Sequence, residues 1–245
     1  MGVTVGIDLA AEPPGTAIAA IRWGGGRAVL DEVATHADDE VVLRWMQHPD
    51  GAVGIDCPFG WPAPFVAMIA DHTAARLRVP GDRPSGWRRE YALRETDRHV
   101  QATTGLSPLS VSADKIGHVA IRLVALISEL DPAVNSSLDG SGAIAETYPA
   151  AALRVWGLPH RRYKGDKYRH ERSALVDALL VAAPWLDLGD HAGSVRDSDH
   201  VLDAVLCALV ARARQRGFTE PPTDVELARR EGWIHVPTRP LADLT

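Results

Sequence analysis

Two rhythms of hydrophobic and polar positions alternate along this chain. "VTVGIDLA" (3–10) is an apolar, β-branched run that reads as a buried strand. "GTAIAAIRW" (15–23) and "RAVLDEVA" (27–34), separated by glycines, read as a hairpin closed by a glycine turn. The spacing then changes to a helical one over "DDEVVLRWMQH" (38–48), with acidic residues in its first turn, before Gly51 introduces another buried strand, "AVGID" (52–56). From 58 to about 140 the chain is rich in Pro, Arg and helical pattern. The clearest helix there is "ADKIGHVAIRLVALISEL" (113–130), whose Ile116, Ala120, Leu123, Ile127 and Leu130 share a stripe that Asp131-Pro132 stops. "GAIAETYP" (142–149) is expected as a short strand and "RHERSALVDALLVAAPWL" (169–186) as a helix. A strongly apolar helix, "SDHVLDAVLCALVARARQRG" (198–217), closes on Gly217. The order describes an α/β fold in one domain over 1–245: three strands first, with an antiparallel hairpin, then strands reached by crossover helices, with 58–140 as a helical insertion.

Carboxylates punctuate this pattern at the same place each time. Asp8 ends the first strand, Asp56 ends the strand after the crossover and Glu146 ends the strand after the insertion, in the contexts "VGID", "VGID" and "AIAE". A lone strand-end acid is a common turn former or helix cap. Ligands of open α/β sheets, however, gather at the carboxyl ends of parallel strands, so three such acids are expected to converge on one crevice. Asp199 and Asp203 lie four apart on the last long helix and share a face, and Asp203 interrupts an otherwise apolar stretch. Buried carboxylates repel one another, and divalent cations are the usual remedy. An oxygen-only donor set favours Mg²⁺ or Mn²⁺ over zinc.

Composition narrows the classes. At 245 residues and 46% hydrophobic content the chain can bury a proper core without staples. Cys57 and Cys207 are far apart, sit in apolar runs and read as reduced core thiols, which together with the absence of an export signal gives a cytoplasmic expectation. A net charge of −6 argues against a protein that coats nucleic acid indiscriminately, but not against a local basic groove. Two basic clusters exist. Seven arginines lie between Arg76 and Arg98, interleaved with Trp87 and Tyr91, and "HRRYKGDKYRHER" (160–172) adds six Lys/Arg with two tyrosines. Each is either a solvated face or a phosphate-contacting patch with stacking platforms.

Several motifs in order, "GIDLA", "GTAIA", "GIDCPFGWP", "RETDR", "AETYPAA", "YKG", "DSDHVLDAVLCALVARA" and "EGWIHVP", resemble the predicted-nuclease family catalogued as domain of unknown function 429 (DUF429). The resemblance implies a ribonuclease H-like mixed sheet. It also implies a metal-dependent nuclease, with two ions supported by Asp8, Asp56, Glu146 and either Asp199 or Asp203, hydrolysing a phosphodiester of RNA or DNA. Arg94 and Asp97 of "RETDR" are expected to border the cleft and Lys164 of "YKG" to contact a phosphate, against the alternatives of a helix-surface ion pair and a solvated loop. Two rivals remain open at this point: an ATP-dependent phosphotransferase or ATPase of actin-like topology, and a non-catalytic nucleic-acid-binding protein on a degenerate nuclease fold. The first lacks closely spaced glycines in "GIDLAAEPPGT" to hold a phosphate.

Overall fold

The computed structural model of the protein describes residues 2–48, 51–78, 81–134 and 136–245. Its first three strands, β1 (Gly2–Asp8), β2 (Ala17–Gly24) and β3 (Arg27–Thr35), form an antiparallel meander. The β2–β3 turn is carried by Gly25 and Gly26, both at positive φ (59° and 73°), the conformation that a two-residue hairpin turn requires. On the other side of β1 lies β4 (Gly51–Asp56), parallel to it, and beyond β4 the parallel strand β5 (Ile144–Glu146). A two-residue strand, β6 (Leu186–Asp187), runs parallel to β3 at the far edge. The resulting order β5-β4-β1-β2-β3-β6, antiparallel at the start and parallel afterwards, is consistent with a ribonuclease H-like α/β fold.

Alternation along β2 shows why the sheet is covered on both faces. Ala17, Ala19 and Ile21 belong to one buried cluster, whereas Ile18 and Ala20 belong to another. The second face carries α1 (Asp39–Met46), capped by the Asp38 side chain on the Val41 amide, and α5 (Ile116–Ser128). The first carries α7 (Arg169–Ala182) and α9 (Asp199–Gln215). In α9 every residue from Val201 to Ala211 is buried, and each fully buried Val or Leu side chain stabilises the fold by roughly 1.5–3 kcal/mol. Between β4 and β5 the described chain runs as four helices: α2 (Ala63–Thr73), α3 (Arg89–Ala92), α4 (Glu95–Thr104) and α5. After β5 comes α6 (Pro149–Val155), then α8 (Ala192–Asp197) ahead of α9 and α10 (Val225–Glu231) near the C-terminus.

Three expectations are corrected in detail. The strand expected over 142–149 ends at Glu146, because Pro149 opens α6, where its missing N–H costs nothing. The helix expected to reach 186 ends at Ala182, and Leu186 turns into the edge strand β6, too short to carry a pattern. On α5 the fully buried stripe is Ala120, Leu123 and Leu126, while Ile121 and Val124 stay exposed. Cys57 and Cys207 are free and buried, as expected, and burial raises both thiols well above the usual range. Among the described residues no helix is long and apolar enough to cross a membrane.

Candidate metal centre

Parallel pairing of β1 and β4 puts Asp8 directly opposite Asp56, and residues in register on parallel strands point to the same face. Two residues earlier on that face stand Gly6 and Gly54, also paired. A Cβ at Gly6 would overlap the Ala204 carbonyl and one at Gly54 the Cys207 carbonyl, so the two bare positions let α9 settle against the backbone of both strands. That close approach carries Asp203, the residue before Ala204, over the strand ends. Oxygen atoms of Asp8, Asp56 and Asp203 consequently all lie within 4.8 Å of one another, close enough that they could hold a metal ion together. Asp203 is 1% exposed and Asp8 9%, whereas Asp56 is only partly covered.

Positive charge has been brought to this cluster from the chain itself. Lys164 Nζ lies 2.5 Å from Asp203 Oδ2 and 4.0 Å from Asp56 Oδ2, on a side chain that is 54% exposed. Tyr163 donates its hydroxyl proton to Asp203 Oδ1 at 2.9 Å, and His200 Nδ1 lies 2.6 Å from Asp8 Oδ2. Burial pushes the Asp56 carboxyl well above the ordinary range, and Asp8, Asp203 and Glu146 add to the rise against the pull of Lys164. Burial likewise drives Asp203 up to about 6, with Lys164 opposing. Burial of the Lys164 ammonium works against its charge, but Asp203 and Asp56 outweigh it and hold its pKa well above the usual value. The hydrogen bond to Asp8 raises His200.

The loop that delivers Lys164 is built, not draped. Arg172 is fully buried and donates to four carbonyls, those of Tyr163, Gly165, Arg196 and Asp197. Asp199 accepts the Gly165 amide at 2.9 Å. These contacts answer two open questions. Of the pair on α9, Asp203 joins the carboxylate cluster and Asp199 anchors the loop. Arg172, counted in the basic cluster at 160–172, is a loop brace rather than part of an exposed patch.

Glu146 does not join Asp8, Asp56 and Asp203. It pairs in the sheet with Ile55, one residue before Asp56, so alternation turns its side chain to the opposite face. There it meets Arg94. Arg94 is 2% exposed and uses all five guanidinium hydrogens: Nε and Nη2 on Asp97, Nη1 and Nη2 on Glu146, and Nη1 again on the Glu231 carbonyl, at 2.7–3.2 Å. Phe59 N–H donates to Glu146 Oε2 at 3.1 Å, and the Arg94 N–H donates to Asp97, which caps α4. Glu146 and Asp97 raise the Arg94 pKa despite its burial, while burial raises Glu146 against the pull of the guanidinium. Arg94 lines the cavity beside the carboxylates and so borders the cleft, but its guanidinium donors are spent within the protein, and its pair with Asp97 is buried rather than on a helix surface. Arg94 and Asp97 form a closed, buried ionic knot with Glu146. Next to it Glu231 accepts the Ala63 and Glu95 amides, tying the starts of α2 and α4 to the end of α10.

Sequence reasoning missed His200 as a partner of Asp8. The signal was present, since His200 and Asp203 are three apart on one helix and therefore neighbours on its surface. Nothing local announced Tyr163, whose role depends on the loop fold. A cavity of about 570 Å³ opens beside the cluster, lined among others by Asp8, Asp56, Tyr148 and Lys164, and also by Arg94 and Glu146.

A sequence profile of the family described as "protein of unknown function (DUF429)" matches residues 6–227. The chain belongs to the DUF429 family. The matched stretch takes in the end of β1, all of β4 and α9, and so includes all three clustered carboxylates of this DUF429 member. No curated protein and no solved structure matches the chain.

Proposed function

We propose that this DUF429 member is a divalent-metal-dependent phosphodiester hydrolase acting on nucleic acid, with Mg²⁺ or Mn²⁺ held by Asp8, Asp56 and Asp203. The observation that carries the reading is the convergence of three carboxylates within 4.8 Å, at the ends of two adjacent parallel strands and on the buried helix beneath them. The donor chemistry fits such an ion: the oxygens are hard, and the neighbouring His200 already spends Nδ1 on Asp8. A chain that places a lysine ammonium against these acids is meeting the same demand for positive charge. In place of the two ions expected with Glu146 we propose one, which the three carboxylates would hold, because both Glu146 oxygens already accept from Arg94.

When bound, the ion would supply Lewis acidity toward a phosphate oxygen and lower the pKa of a coordinated water. The chain's own residues orient the donors. Tyr163 fixes Asp203 and His200 fixes Asp8. At 48% side-chain exposure the His200 ring can also exchange a proton with solvent while it holds Asp8. Lys164, on its long exposed stem, would serve a phosphate once the carboxylates are neutralised by the ion.

The test is a thermal-shift series with Mg²⁺ and Mn²⁺ on the wild type and on Asp56→Asn, followed by a cleavage panel of single-stranded and duplex RNA and DNA. The reading expects a metal-dependent rise in Tm and metal-dependent cleavage, both lost in Asp56→Asn. A flat response to millimolar metal in the wild type would overturn it.

A further inference from the structure

The cavity beside the carboxylates has a lining of two kinds. Asp8, Asp56, Lys164 and the paired Arg94 and Glu146 carry charge, whereas Leu9, Pro58, Pro108, Leu109, Ile116 and Val119 supply an apolar wall, with Tyr148 and Tyr168 as aromatic surfaces. Leu109 leaves 57% of its surface exposed there. A hydrolase that meets only the sugar-phosphate outside of a duplex has no use for such a wall, because stacked bases are hidden from it. An unpaired base does have use for it, because its exposed faces can stack on the tyrosine rings and pack against the apolar side chains. At about 570 Å³ the space is in the range of sites for single small ligands, about 300–1,000 Å³.

Basic residues continue from the cavity in one direction. His160 and Arg161 line both this cavity and a second groove of about 340 Å³ that also includes Arg154 and Thr104 to Leu106. Arg154, Arg161 and Arg162 are exposed, and among the described residues none of the three forms an ion pair with a carboxylate. Their neighbour Arg172, by contrast, is consumed in bracing the loop that presents them. An apolar cell beside an acidic centre, followed by a groove lined with cations, matches the repeating chemistry of a nucleotide strand: base, phosphate, next phosphate.

We infer that the substrate is single-stranded nucleic acid, with one unpaired base seated against Leu109, Ile116 and Val119 and the strand leaving across Arg154 and Arg161. This rests on the phosphodiesterase reading above but is separable from it. Duplexes are excluded because their bases cannot reach the wall, and free mononucleotides bind weakly because they leave the second groove empty.

Binding is measured by fluorescence anisotropy in EDTA with a labelled short oligothymidylate, its oligouridylate counterpart, a blunt duplex of equal length and an abasic strand. Both single strands are expected to bind about tenfold or more tighter than the duplex and the abasic strand. Arg154→Glu combined with Arg161→Glu, and separately Leu109→Asp at its exposed position, should each weaken single-strand binding about tenfold. Neither variant should change the Mn²⁺-induced rise in Tm. Equal binding of duplex or abasic strand, or displacement by thymidine monophosphate as effective as by the oligomer, overturns the inference. A wild type that shows the Mn²⁺ shift but binds no single strand also overturns it while leaving the metal centre standing. Absence of the Mn²⁺ shift with strand binding intact overturns the metal reading instead.

Discussion

Two groups of acids gather around neighbouring strand ends, each completed by an acid from a helix, and have been neutralised in opposite ways. At Glu146 and Asp97 the counter-charge is a guanidinium that is 2% exposed and has every donor occupied. At Asp8, Asp56 and Asp203 it is one lysine on a 54% exposed side chain, with a cavity alongside. The first group has no spare guanidinium donor to offer a ligand and serves to hold α4, β5 and the end of α10 together. The second keeps more negative charge than its lysine can answer. Burial and mutual repulsion show it in the raised pKa values of Asp56 and Asp203. A planar, always-charged fork suits a permanent bond, and a mobile ammonium suits one that can be surrendered.

The largest effect should break the closed group. Arg94→Met strands two buried carboxylates and is expected to cost about 3–5 kcal/mol of unfolding free energy by urea denaturation, with no recovery on adding Mn²⁺. Recovery by metal would mean that Glu146 belongs to the ion site after all. The open group should respond to pH in the reverse of the usual acidic pattern. Asp203 rises from 3.8 to about 6 on folding, so its contribution to stability is fully present below pH 3.8 and lost as pH climbs through about 6, an effect of at most about 3 kcal/mol. The Mn²⁺-induced rise in Tm should therefore grow between pH 5 and 7.5 as protons leave the site. Taking the difference with and without metal cancels His235, which burial drives down to about 4 and whose contribution is instead lost as pH falls from 6.5. A metal response that is flat with pH would contradict the raised carboxyls.

Smaller changes sharpen the contrast. His200→Gln removes the group that fixes Asp8 and should weaken Mn²⁺ binding about 10-fold by calorimetry while leaving urea stability nearly unchanged. Lys164→Met should lower the Tm of the metal-free protein by an amount worth about 1 kcal/mol or less, because the lysine side chain is itself half exposed and screened by solvent. Mn²⁺ should restore that loss fully, which Arg94→Met cannot match. A Lys164→Met protein that metal fails to rescue would place this lysine among the structural braces.

Much of the fold was legible because it is written in local periodicity. The "VGID" strands, the glycine hairpin and the apolar helix carrying Asp203 all satisfy their backbone and bury their faces in the way their patterns dictate. The ends of elements were less legible where a proline, as at Pro149, overrode an apolar run. The candidate site was half legible. Asp8, Asp56 and Asp203 stand out as charges in apolar runs, and all three meet. Glu146 stands out in the same way and meets Arg94 instead, a partner 52 residues away.

Sequence alone determined which positions carry charge into the core and which helix and strands bear them. It even held the reason for the close helix contact, in the paired Gly6 and Gly54. Only the tertiary structure decided which charges share a face. Side chains on a strand alternate, so pairing Glu146 with Ile55 rather than Asp56 sends one carboxylate through the sheet to a buried arginine and leaves the other beside Asp8. That offset of one residue is a property of how two strands lie together, and no single strand contains it.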